Sequence, residues 1–268
     1  MSDASHSAVS TTATRIKLLR ANNPGPMTLT GTNTYALSGN DGDSWIIVDP
    51  GPSLREHLHQ ITELGRIELI LITHHHPDHT EAIDDVQIRT GAPVRAFLQE
   101  HCRAAEPLED REIIEAAGTT VKVLHTPGHT ADSACFIVED GDRNHARVLT
   151  GDTILGQGTT ILDYPDGTLV QYLKSLDRLA THPNAKLLPG HGPVGAKLGD
   201  VVRYYQEHRA DRLGQITSAL DKLGLTATDP TALDKVTNLV YSDVPENLKG
   251  AARKSVDAQL HYLTEQAR

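Results

Sequence analysis

The run Thr73-His74-His75-His76-Pro77-Asp78-His79 gathers the side chains of this 268-residue chain that are best suited to holding a cation. It follows an apolar stretch, Leu69 to Ile72, so it occupies a loop leaving a buried strand. Such a loop can fan the imidazoles of His74, His76 and His79 and the carboxylate of Asp78 around one point. His74 and His76, two apart, can point the same way from an extended loop, while Asp78 and His79 fall on the other side and can serve a second ion. Pro77 restricts its neighbours to extended conformations, which suits a fixed ligand loop. His75 lies between the ligands and by spacing points away from them, so it reads as a non-ligand that can contact substrate. Placing metal-type ligands beside a core strand is costly unless they are used, which argues against an ordinary solvated loop.

Further candidate ligands recur at predicted strand ends: His129 in Thr126-Pro127-Gly128-His129-Thr130, Asp152 in Thr150-Gly151-Asp152, and His191 in Pro189-Gly190-His191-Gly192. A glycine beside each lets the backbone approach an ion closely. Each alone is a weak signal, since a single His or Asp at a strand end is commonly structural. In this order, with the first loop, the set is specific. Histidine is also the composition outlier, with 15 residues, and imidazole is the commonest metal ligand.

The rest of the composition sets bounds. A hydrophobic fraction of 38% with 22% charged residues is that of a folded globular protein, and 4% aromatic residues imply an aliphatic core. A formal net charge of -10 argues against broad attraction to nucleic acid. Cys102 and Cys135 are too few for a disulfide framework or a thiolate zinc site and read as small buried hydrophobes. Residues 1–14 read as a disordered Ser/Thr/Ala-rich tail rather than a signal peptide. No stretch reaches transmembrane length, so the expectation is a cytoplasmic protein without a membrane partner.

The elements that must position these ligands can be read from the patterning. Strands are predicted at 34–37, 45–48, 69–73, 93–97, 121–124, 134–138, 147–150 and 186–188, and helices at 54–64, 82–90, 109–115 and 168–181. The strands do not alternate with one helix each, as a doubly wound sheet requires; two sheets packed between helices fit better. After Gly199 the character turns helical, with helices predicted at 201–223, 231–240 and 247–266. The division is therefore a tail at 1–14, a sandwich domain at 15–199 and a helical subdomain at 200–268.

The order of ligands resembles the metallo-β-lactamase superfamily. That resemblance implies an αββα sandwich in the α/β class, with His74, His76 and His129 on one metal, Asp78, His79 and His191 on a second, and Asp152 bridging them. It further implies hydrolysis by a water that two cations ionise near neutral pH, with Asp78 orienting that hydroxide or passing on its proton. Asp49, closing Trp45-Ile46-Ile47-Val48-Asp49, looks like the family acid that orients a ligand histidine. The cofactor implied is two Zn2+, although iron or manganese suits the same donors. Asp152 stands where the class B β-lactamases commonly carry Cys, which disfavours penicillin hydrolysis. The flavodiiron glutamate, the inserted domain of the β-CASP enzymes and the glutathione-binding basic residues of glyoxalase II are not evident.

A narrower resemblance, to the β-lactamase-like protein 2 subfamily, rests on Asn23 to Leu29 with Gly31-Thr32-Asn33-Thr34-Tyr35, on Gly151 to Thr160, and on Pro189-Gly190-His191-Gly192-Pro193. It implies a winged-helix-like C-terminal subdomain. It also implies a substrate that is a single-stranded RNA phosphodiester or, as the alternative, a small-molecule ester or thioester. In the Gly-rich segment, backbone amides and Thr159 or Thr160 can bind a phosphate or an acyl oxygen. Tyr35 can border the pocket. A single-iron persulfide dioxygenase uses the same fold and is the non-hydrolytic reading.

Overall fold

Alternation of side chains along the first strands sets two opposite apolar faces. In β2 (Asn33–Ser38), Tyr35 and Leu37 point one way and Ala36 the other; β3 (Ser44–Val48) divides Ile46 and Val48 from Trp45 and Ile47 in the same manner. A sheet apolar on both faces must be covered on both, and it is. The computed structural model describes residues 14–39, 42–139 and 146–267. In it, β1 (Arg15–Arg20), β2, β3, β4 (Arg66–Leu71) and β5 (Val94–Arg95) form one sheet in sequential order. The second sheet has the order β10-β9-β8-β7-β6, from β6 (Ile113–Ala116), β7 (Thr119–His125), β8 (Ala134–Val138), β9 (Arg147–Gly151) and β10 (Lys186–Pro189).

The two sheets face each other across Leu37, Ile46, Leu71, Val123, Phe136 and Leu149. On the outer face of the first, α1 (Arg55–Thr62) and α3 (Ile83–Thr90) contribute Leu58, Ile61, Ile83 and Val86. On the outer face of the second, α4 (Leu169–Leu179) packs Tyr172 and Leu176 beside the start of α5 (Leu198–Leu223), which adds Leu198, Val202 and Tyr205. The architecture is thus the helix–sheet–sheet–helix sandwich. Thr168 caps α4 by accepting from the Gln171 amide, and Gly91 ends α3 in the left-handed region.

The far half of α5 leaves the sandwich and forms a separate apolar cluster with α6 (Ala232–Val240) and α7 (Lys249–Gln266), built on Ile216, Leu220, Val236, Val256 and Leu260. No strand accompanies these helices among the described residues. Among the described residues no helix is long and apolar enough to cross a membrane. Of the predicted tail, only Thr14 belongs to the described residues.

Three element expectations are corrected. The helix predicted at 109–115 is a turn followed by β6, because Arg111 takes a positive φ of 68° and Ile113 to Ala116 pair with β7. The strand predicted at 93–97 shrinks to Val94–Arg95. β1 was not predicted, since its Arg15 and Lys17 alternate with Ile16 and Leu18; it is an edge strand with Lys17 lying over the Trp45 ring.

Candidate metal centre

One end of the sandwich collects every loop that the sequence marks. His74 to His79 follow β4 and run into α2 (Pro77–Thr80); His129 lies between β7 and β8, Asp152 directly after β9, and His191 after β10. Backbone hydrogen bonds stitch these loops together, between the sheets by Ala134 N to Thr73 O and Asn33 N to Gly190 O, each at 2.8 Å, and within the second sheet by Gly190 N to Gly151 O at 2.8 Å.

The side chains fall into two touching groups. In the first, His76 Nδ1 is 3.1 Å from His74 Nε2 and 3.1 Å from His129 Nε2. In the second, Asp78 Oδ2 is 3.3 Å from His79 Nε2 and 3.1 Å from His191 Nε2, and the two Nε2 atoms are 3.2 Å apart. Asp152 touches both groups, at 3.3 Å from His191 Nε2 and 3.9 Å from His129 Nε2 through Oδ2. His74, His79, His129 and His191 are buried.

The outward nitrogen of each ring decides what the inward one can do. His79 Nδ1 donates to Asp49 Oδ2 at 2.8 Å, His129 Nδ1 to the Ile161 carbonyl at 2.6 Å, His191 Nδ1 to the Gly31 carbonyl at 3.3 Å, and His76 Nε2 to Asp163 Oδ2 at 3.4 Å. His74 Nδ1 meets the Thr73 hydroxyl at 3.0 Å, and that hydroxyl donates to Asp49. Each neutral ring has one N–H, and these partners take it. The inward nitrogens are left as lone pairs, and three of them converge in the first group. Lone pairs at such separations repel unless a cation lies between them, so the donor set fits a metal.

Two further observations agree. Asp152 Oδ1 is buried without a hydrogen-bond partner. A Cβ at Gly190 would come within 2.5 Å of Asp152 Oδ1 and 2.9 Å of His79 Cε1, so a side chain there would fill the cradle. The electrostatics differ between the groups. Burial, and then the neighbouring imidazoles, holds His74 well below its usual range, and burial takes His129 down to about 4. Burial also opposes charge on His191, but the Asp152 carboxylate overcomes it and raises the ring to about 9. The carboxylate group therefore draws positive charge, which protons supply in the bare chain and a divalent cation would replace.

Other expected residues are placed differently. Tyr35 does not border the pocket: it is buried, and its hydroxyl donates to the Pro189 carbonyl at 2.7 Å, fixing the strand that leads to His191. The Thr159 hydroxyl lies 3.2 Å from His208 Nε2, and the buried Thr160 hydroxyl lies 3.3 Å from His129 Nδ1, so both face protein groups. His75 turns away from the cluster to pair with Asp132 at 2.8 Å. Gly128 serves helix packing rather than approach to an ion, since a Cβ there would strike the Tyr172 backbone of α4.

Sequence reasoning missed Asp163, Arg209 and Lys254. Arg209, on α5, donates to the Thr160 carbonyl at 2.6 Å and lies 4.9 Å from the Tyr172 ring centre. Nothing in spacing or composition links residues so far apart. A cavity of about 290 Å³ opens over His76 and His129; Met27, Ile161 and Ala251 are among its walls, and Asp163 and Lys254 line it too.

A profile described as Metallo-beta-lactamase superfamily matches residues 27–191. The chain belongs to the metallo-β-lactamase superfamily. It is a metal-dependent hydrolase of that superfamily. Among its relatives, the Beta-lactamase-like protein 2 homolog of Caenorhabditis elegans is 33% identical over 254 residues, covering 90% of this chain and 81% of that protein. The Atrochrysone carboxyl ACP thioesterase of Aspergillus chevalieri is 28% identical over 246 residues, covering 89% and 77%. In fold, the superfamily architecture is shared with metallo-beta-lactamase family protein TTHA1429 from Thermus thermophilus, at a TM-score of 0.75, 23% identity and 94% coverage of both chains.

Proposed function

We propose that this superfamily member hydrolyses acyl thioesters at a two-metal centre. His74, His76 and His129 would hold one metal, Asp78, His79 and His191 the other, and Asp152 both. Zinc is the first assignment, and iron or manganese suits the same nitrogen and oxygen donors. When bound, such cations supply a water ionised near neutral pH and polarisation of the carbonyl under attack. Of the two clustered carboxylates, Asp78 is the more open, at 26% exposed against 11% for Asp152, so it is the one placed to take a proton from water. Thr32 holds Asp78 by donating to its Oδ2 at 2.9 Å.

The observation that carries the thioester reading is the cavity over His76 and His129. Its walls include Met27, Ile161 and Ala251, and among the described residues no Phe, Tyr or Trp lines it. Single-stranded nucleic acid is held by aromatic stacking along a positive groove; among the described residues the rings lining this cavity are the imidazoles of His76 and His129, and its cation, Lys254, is paired with Asp163. An acyl chain is matched by the apolar walls, which cover part of its surface in exchange for water. The relative named as a thioesterase supports the same choice.

Single-stranded RNA is the second reading, favoured by Lys249, Arg253 and Lys254 on the first turns of α7. Each is already paired, with Glu246, Asp234 and Asp163, which weakens their pull on phosphate. The test is hydrolysis of a series of acyl-pantetheine thioesters beside a short single-stranded RNA, using wild type, chelator-treated enzyme and Asp152→Ala. Thioester cleavage abolished by chelation and by Asp152→Ala is the expected result. RNA cleavage without thioester cleavage would reverse the substrate assignment, and activity surviving Asp152→Ala would remove the metal centre from the mechanism.

A further inference from the structure

Four of the five clustered imidazoles rest their outward nitrogen on a hydroxyl, a buried carboxylate or a backbone carbonyl: His74 on Thr73, His79 on Asp49, His129 on the Ile161 carbonyl and His191 on the Gly31 carbonyl. His76 differs. Its Nε2 lies 3.4 Å from Asp163 Oδ2, and the other oxygen of that carboxylate accepts from the ammonium of Lys254 on α7. The contact chain runs from a helix of the C-terminal cluster, through one carboxylate, to a ring whose inward Nδ1 sits among the three-histidine lone pairs. His76 and Asp163 are also more open than the buried rings, with side chains 25% and 30% exposed.

We infer that Asp163 and Lys254 are positioning residues for the three-histidine metal, and that through them α7 sets how tightly that metal is held. The physical basis is hydrogen-bond polarisation. A carboxylate that accepts the outward N–H of an imidazole fixes its tautomer and orientation and makes the inward nitrogen a stronger donor. In a half-open setting such a carboxylate is drawn toward water, and its contact with His76 is long. An ammonium on its far side holds the carboxylate in place, and Lys254 can do so only while the first turns of α7 stay docked against the loop carrying Ile161 and Asp163. Gly250, Ala251 and Lys254 line the same cavity as His76 and His129, so whatever occupies the cavity bears on the same helix.

The inference rests on the ligand assignment proposed above, and the experiment separates the two. Metal content and stepwise metal affinity of the full chain are measured by competition with a chromophoric chelator, with thermal melting as the check on folding. His76→Ala tests the assignment: it should lose one metal equivalent. Asp163→Asn keeps the shape and removes the charge; it should weaken one of the two metals about 10- to 100-fold and leave the other unchanged. Lys254→Ala should weaken the same metal in the same direction, and Lys254→Arg, which can still reach the carboxylate, should restore most of the affinity. Unchanged affinities in Asp163→Asn and Lys254→Ala, with His76→Ala losing its metal, overturn the inference alone. A wild-type content of three equivalents also overturns it, because His75, His76 and Asp163 lie close enough to hold an ion themselves. Two equivalents retained by His76→Ala would overturn the ligand assignment.

Discussion

Replacing Asp49 by Asn gives the sharpest test of how the cluster keeps its lone pairs inward. Asp49 is buried, and its carboxylate takes three hydrogen bonds: from Thr73 N at 2.8 Å, from the Thr73 hydroxyl at 2.7 Å and from His79 Nδ1 at 2.8 Å. Its φ of 54° lies in the left-handed region, which Asn tolerates and Ala resists, so Asn isolates the charge and acceptor change from backbone strain. The amide oxygen can still accept from Thr73 N. The amide nitrogen then faces two donors, the Thr73 hydroxyl and His79 Nδ1–H. The hydroxyl can rotate; the imidazole can escape only by moving its proton to Nε2, the atom 3.2 Å from His191 Nε2. That tautomer has no inward lone pair. The expected loss is about 10- to 100-fold in affinity for the metal of the carboxylate group. At 1.4 kcal/mol per decade this is roughly 1.4–2.8 kcal/mol, comparable with the roughly 1.5–3 kcal/mol attached to one hydrogen bond to a charged group. Chelator competition reads the stepwise affinities, and circular dichroism checks that the fold is retained. An Asn variant that binds both metals as wild type does would refute the tautomer argument.

Three other outcomes follow from particular contacts. Arg209→Met removes a buried guanidinium that holds the Thr160 carbonyl and covers the Tyr172 ring; urea unfolding should show a loss of about 2–4 kcal/mol, and Arg209→Lys should not restore it, whereas a change near zero would mean that the buried charge contributes nothing net. Burial lowers His57 to about 4 against the opposing pull of the Pro50 carbonyl, so the ring is neutral when folded and titrates near 6.5 when unfolded. Its contribution is complete above pH 6.5 and disappears as the pH falls toward 4, on the order of 3 kcal/mol in all; His57→Gln should flatten stability across that window, and an unchanged slope would count against the assignment. Ala251→Trp should fill the cavity over His76 and His129, raising KM for long acyl thioesters roughly tenfold or more while sparing an acetyl thioester; equal effects on both would place the acyl chain elsewhere.

The legible part of this protein is local. A metal loop beside an apolar strand needs its donors at fixed short spacing, so His74, His76, Asp78 and His79 stand out in the chain itself. The glycine-flanked His129, Asp152 and His191 are legible because strand ends are where a sheet can aim side chains. Short apolar β-branched runs mark most of the strands, since a strand covered on both faces reads as a continuous apolar run rather than as an alternation. The helix expected at 109–115 failed because its two adjacent isoleucines fit either period, and pairing with β7 chose between them. Tyr35 is a polar-tipped ring that could have gone either way; only the position of the Pro189 carbonyl decided that its hydroxyl turns inward.

Apart from Asp49, which the resemblance marks as an orienting acid, what the tertiary structure alone decided is the outer partner of each imidazole. The carbonyls of Gly31 and Ile161, the carboxylate of Asp163 and the hydroxyl of Thr73 carry no common residue type. A backbone carbonyl is present at every position, so which one accepts an N–H is set by how two sheets and a helix meet. Residue chemistry determines that a metal can be bound. The packing of α7, α5 and the strand ends determines how each ligand is held, and therefore where the cavity for substrate opens.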